Sequence, residues 1–83
     1  MLERIKQIIE QNLPTQKVKV IDLTGTQDHL GLTVVSDAFL QKSLLEQHRM
    51  IMDLLSQEFK EKLHAVKIET FTKDQYIKKF GQL

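Results

Sequence analysis

His64 opens the run His64-Ala65-Val66-Lys67-Ile68-Glu69-Thr70, in a chain with three histidines and no cysteine. An imidazole can ligate a metal, carry a proton or simply pack. Alone it cannot enclose a soft metal centre, so any sulfur donor has to arrive on another molecule. The bland alternative is a ring packed at a strand end, because position 64 shares parity with Val66 and Ile68. His29 stands where a second strand-like run begins. Asp28 beside it is either an acceptor that orients that ring or an ordinary turn residue. His48 shares a helical stripe with Leu44, Ile51 and Leu55, which reads as a half-buried structural histidine. Catalytic sets are absent: there is no Gly-x-Ser-x-Gly, no His-Glu-x-x-His and no phosphate-binding glycine loop, so no enzyme is expected.

The elements that must position these groups are legible from periodicity. Leu2, Ile5, Ile9 and Leu13 recur at helical spacing, and Pro14 ends that helix. Lys17-Val18-Lys19-Val20 alternates as a strand with its valines inward. Thr24-Gly25-Thr26-Gln27-Asp28 is turn chemistry. His29 to Ser36 forms the hairpin partner, with Leu30, Leu32 and Val34 on one face. Ser43 and Glu46 make a capping box for a helix whose apolar stripe is expected to be Leu44, Leu45, Ile51, Met52 and Leu55. Ser56 caps a short helix over 57–62. Val66 and Ile68 mark a third strand, and Thr72 with Gln75 caps a final helix holding Tyr76, Ile77 and Phe80. Lys78-Lys79 reads as a solvated helix terminus. The order is α-β-β-α-α-β-α, giving an α+β domain with a three-stranded sheet and helices packed on one face.

With 83 residues the chain makes a single domain, residues 1–83, with one small core and no disulfide to staple it. Hydrophobic content of 41% and charged content of 28% describe an ordinary globule, and the net charge of +1 is far from a polyanion-binding footprint. Met1-Leu2-Glu3-Arg4 mixes acid and base where a secretory leader would be basic and then apolar. No apolar run reaches spanning length. A soluble, cytoplasmic protein without a membrane partner is expected.

Three segments together resemble the BolA family: Ser36-Asp37-Ala38-Phe39, then Lys42-Ser43-Leu44-Leu45-Glu46-Gln47-His48-Arg49-Met50-Ile51, then Leu63-His64-Ala65-Val66-Lys67-Ile68-Glu69-Thr70-Phe71-Thr72. The likeness runs over residues 17–76. It implies a class II KH-like αββααβ fold, here with an added C-terminal helix, αββααβ(α). It also implies a heterodimer with a monothiol glutaredoxin that shares a [2Fe–2S] cluster, the glutaredoxin giving a cysteine and bound glutathione a second thiolate. His64 then matches the family's histidine ligand. Imidazole in place of thiolate raises a cluster's potential and makes the ligand pH-sensitive. His29 is the candidate second ligand, and Arg49 and Lys67 are candidates to meet the partner or the glutathione carboxylate.

The chain departs from the family pattern at Gln41, where glycine is usual, and at Tyr76, where tryptophan is usual. Its first interstrand loop is short and lacks the family's loop Cys or loop His. The implied role is iron–sulfur cluster trafficking or iron and redox sensing, including stress response, with no small-molecule substrate and no cofactor held by the isolated chain. The alternative is a KH-like nucleic-acid-binding transcriptional regulator. Against it stand the missing Gly-x-x-Gly clamp and the low net charge.

Overall fold

In a computed structural model of the chain, residues 2–26, 29–61 and 65–83 are described, apart from the side chains of Phe59 and Glu61. His64 and Asp28 lie outside the described residues. Helix α1 (Leu2–Asn12) leads into strand β1 (Lys17–Asp22) and strand β2 (His29–Val35). A 3₁₀ turn at Asp37–Phe39 is followed by α2 (Leu44–Leu54), α3 (Ser56–Glu61), strand β3 (Ala65–Phe71) and α4 (Lys73–Phe80). Sheet order is β1-β2-β3. β1 runs antiparallel to β2, with Val20 opposite Leu32, and β3 runs parallel to β2, with Leu30 opposite Val66. The parallel step is what the intervening helices require, since a parallel pair needs a crossover.

Period two along β2 divides its residues between the two faces. Leu30, Leu32 and Val34 are buried with Ile5 and Ile9 of α1, Phe39, Ile51 of α2 and Leu55. The expected order, hairpin and inward valines are all present, with Val18 and Val20 packed against this core.

The expected stripe of α2 needs correction. Its buried residues are Gln47 and Ile51, continued by Leu55, while Leu44, Leu45 and Met52 are 62%, 62% and 39% exposed. At about 100° per residue, Leu45 and Met52 point well away from Ile51. Leu44 shares the azimuth of Ile51 but sits in the first turn. Hydrophobicity alone put leucines where a glutamine is buried.

The capping boxes form as read. Ser43 Oγ accepts from Glu46 N at 3.1 Å and Glu46 Oε1 accepts from Ser43 N at 2.9 Å. The Ser43 backbone N–H above all, then the Ser43 side chain, holds the Glu46 carboxyl below its usual range, helped by Lys42 and opposed by slight desolvation. A carboxyl lowered in the fold contributes stability above its unfolded pKa and loses it as pH falls through the folded value. Acidification below the ordinary carboxylate range should therefore weaken the start of α2, and Glu46→Gln should flatten that part of the pH–stability curve in urea titrations. The second box closes through Thr72 and Gln75.

Gln41, before α2, has φ +62°. A left-handed residue with a side chain costs roughly 1–2 kcal/mol, of which glycine's extra unfolded-state entropy returns about half. Gln41→Gly should therefore raise stability by about 0.5–1 kcal/mol, read as a higher urea midpoint at constant slope.

Candidate functional site

The face of the sheet away from the core carries the groups that could do chemistry. Register sets its rows: Ile21, Gly31 and Lys67 in one, Lys19, Thr33 and Glu69 in the next. At one end of the sheet Leu23 donates its N–H to the His29 carbonyl at 2.9 Å, and His29 stands opposite Ala65. At the other end Lys17, Val35 and Phe71 share a row. There Phe71 meets the rings of Tyr76 and Phe80 edge-on at 5.6 and 5.9 Å, so α4 closes that end. Lys79 Nζ lies 5.5 Å from the Phe71 and Phe80 centroids. It is thus engaged with the aromatic cluster rather than simply solvated.

His29 is half-buried at the first position of β2. Its register partner Ala65 is the residue that follows His64 in the sequence. Lys67 is exposed on the same face as His29. Arg49 is exposed on α2, which packs against the opposite, core face, so Arg49 and Lys67 are not brought onto one surface. His48 is half-buried, as its stripe implied, with its Nε2 buried and without a hydrogen-bond partner among the described residues.

Donor chemistry fits part of a metal centre. Among the described residues no group of three His, Cys, Asp or Glu side chains could hold a metal ion, and the chain has no cysteine. A soft centre here needs thiolates from outside.

Several residues that set this geometry escaped the periodicity reading. Ser36 Oγ donates to the Pro14 carbonyl at 2.6 Å and accepts from Ala38 N at 3.0 Å. Asp37 Oδ1 accepts from Lys73 N at 3.2 Å, joining the 3₁₀ turn to the start of α4. Asp22 Oδ1 accepts from Thr24 N and Gly25 N, organising the described part of the hairpin turn. Glu58, only 3% exposed, accepts from Arg4 Nε at 3.1 Å and ties α3 to α1. Only Gly31 left a signal, since a glycine inside an alternating strand marks a close approach.

A mixed three-stranded sheet with helices packed on one face defines a KH-like α+β domain. The comparisons narrow the class. Residues 6–75 match the family model described as BolA-like protein, and the chain belongs to that family.

It is 33% identical over 70 residues to an uncharacterized protein of Rickettsia prowazekii, covering 84% of this chain and 91% of that one. It is 35% identical over 48 residues to the DNA-binding transcriptional regulator BolA of Escherichia coli, covering 58% of this chain and 46% of that one. The solved BolA domain of SufE1 from Arabidopsis thaliana superposes with a TM-score of 0.79 at 39% identity, covering 84% of this chain and 88% of that domain. The full SufE-like protein 1 of that plant is much longer, and the alignment takes in 22% of it. No described helix is long and apolar enough to cross a membrane.

Proposed function

We propose that this BolA-family chain is a non-enzymatic accessory protein that docks a monothiol glutaredoxin and lends imidazole nitrogen to a [2Fe–2S] cluster shared between them, in cluster trafficking or iron and redox sensing. One observation carries the reading: the parallel β2–β3 register sets His29 opposite Ala65, directly after His64. His64, next to Ala65 in the chain, is the other nitrogen donor in this proposal, and the chain has no sulfur donor of its own. The cluster is cargo, held jointly, and its thiolates belong to the glutaredoxin cysteine and to glutathione. His64 is the main candidate ligand, with His29 second and Asp28 as the acceptor that orients it. Lys67 and Arg49 offer cations to the partner or to the glutathione carboxylates from two separate surfaces.

The experiment mixes the chain with cluster-loaded monothiol glutaredoxin and follows visible absorption and sedimentation. A heterodimer with a changed spectrum is expected, and His64→Ala should abolish the spectral change. His29→Ala should alter the spectrum without preventing the heterodimer. An unchanged spectrum with no heterodimer overturns the reading. Equal binding of apo and loaded glutaredoxin, with no spectral change, would leave only a plain adaptor.

A further inference from the structure

Along the open face, β2 offers almost no side chain between its neighbours: Gly31 has none and Thr33 is small. The strands that flank it stand about 10 Å apart, two interstrand spacings. This leaves a groove of about 170 Å³. It is open along its top and closed at the Phe71 end by α4 through Tyr76 and Phe80.

The two walls differ in chemistry. Ile21 and Leu23 stand on the β1 side at 46% and 51% exposure, large aliphatic groups left in water. Lys67 and Glu69 form the β3 wall, and Lys19 faces Glu69 across Thr33. Among the described residues, none of Lys19, Lys67 and Glu69 makes an ion pair with another. The groove therefore presents Lys19, Glu69 and the Thr33 hydroxyl in the row nearer its closed end, Lys67 across from Ile21 in the next row, and Leu23 beyond.

Gly31 forms part of the floor, and the β1 side chains lean over it: a Cβ built there would lie 2.8 Å from Ile21 Cγ1, 3.1 Å from Ile21 Cδ1 and 3.3 Å from Leu23 Cδ2. The backbone of Gly31 needs no special conformation, since its φ is not positive. Its small size lets Ile21 and Leu23 close down on β2, and an added methyl would push them into the groove.

We infer that the groove between β1 and β3 binds a small aliphatic α-amino acid. The carboxylate is met by Lys19 and Lys67, the ammonium by Glu69, and the branched side chain covers Ile21 and Leu23. Size suits the side chain: an enclosed cavity of roughly 150 Å³ in another protein holds benzene, so a groove of about 170 Å³ takes a four-carbon branched chain while the charged groups stay at its open rim. Charge agrees as well, because a simple fatty acid leaves Glu69 unmatched and a simple amine leaves both lysines unmatched. The site depends neither on a cluster nor on His64.

The test is a nitrogen-15 NMR titration of the full chain with L-leucine, read at the Gly31 amide, one of three glycines in the chain. Saturable shifts at Gly31, Ile21 and Lys67 are expected with a Kd on the order of 1 mM, as suits so small a ligand. Isovalerate, which lacks the ammonium, and isoamylamine, which lacks the carboxylate, should each bind at least fivefold more weakly. Lys67→Met and Lys19→Met, both changes at exposed positions, should weaken leucine binding by a similar factor. Gly31→Ala should abolish it, and its amide spectrum away from the groove reports whether the fold persists. No saturable shift at about 20 mM leucine, twenty times that Kd, overturns the inference. So does equal binding of leucine, isovalerate and isoamylamine, which marks a merely greasy surface.

Discussion

Phe39→Ala should remove about 3–5 kcal/mol of folding stability, the range for deleting a buried aromatic side chain. Phe39 is 1% exposed and packs with Ile5, Ile9, Leu30, Ile51 and Leu55 where α1, α2 and the sheet meet. Its backbone is pinned, because Ser36 Oγ holds both the Pro14 carbonyl and the Ala38 amide and so fixes the turn that delivers the ring. Collapse around an alanine is correspondingly hard. For 83 residues, marginal stability of roughly 0.05–0.15 kcal/mol per residue amounts to about 4–12 kcal/mol, so this one change consumes a large part of it. Urea unfolding followed by circular dichroism gives the comparison. Phe80→Ala, at a ring 53% exposed, is the control and should cost under about 1 kcal/mol. If the two variants unfold at the same urea concentration, the packing account of the Ser36–Phe39 turn is wrong.

That turn also separates what was legible in the sequence from what was not. Element order, the hairpin and the capping boxes at Ser43 and Thr72 each follow from a local rule, and each is present in the fold. Period-two alternation placed Leu30, Leu32 and Val34 inward without reference to anything distant. The parallel pairing of β3 with β2 is in no local pattern, since it depends on where the helices between them pack.

The errors concern residues whose burial is decided by partners far along the chain. Leu44 and Leu45 lie outside the core although they are leucines, and Gln47 lies inside it although it is a glutamine. The reason is 23 residues away: Thr70 Oγ1 donates to Gln47 Oε1. Glu58 is buried because Arg4, 54 positions earlier, reaches it. The groove likewise needed the register of three strands, since Lys19, Gly31 and Lys67 become neighbours only once β1 and β3 are both laid against β2. For the candidate cluster end, sequence named His29 and the fold set it opposite Ala65.

The second large effect is at that buried glutamine. Gln47 Nε2 donates to the Lys42 carbonyl at 2.9 Å and to the Phe39 carbonyl at 3.4 Å, and its Oε1 accepts from Thr70 Oγ1 at 2.6 Å. One side chain thus joins the segment before α2 to β3. Gln47→Leu keeps similar bulk but leaves the Thr70 hydroxyl without its partner in the interior, while the Phe39 carbonyl keeps the Lys42 N–H at 3.2 Å. An orphaned buried polar group costs about 1–3 kcal/mol, and a loss in that range is expected. Thr70→Val alone should cost less, because the glutamine retains its two carbonyl acceptors. The double variant decides the physical account. Removing both ends of the 2.6 Å bond leaves neither end orphaned, so the pair should lose less than the sum of its parts, with a coupling of about 0.5–3 kcal/mol. Additivity within about 0.5 kcal/mol would show that the bond contributes nothing beyond packing. The consequence reaches the proposed docking chemistry, because α2 carries Arg49 and β3 begins at Ala65, next to His64. Through Gln47 and Thr70, the helix that offers a cation is fixed against the strand that follows the proposed ligand. Gln47→Leu should therefore also weaken glutaredoxin binding at temperatures where the variant remains folded.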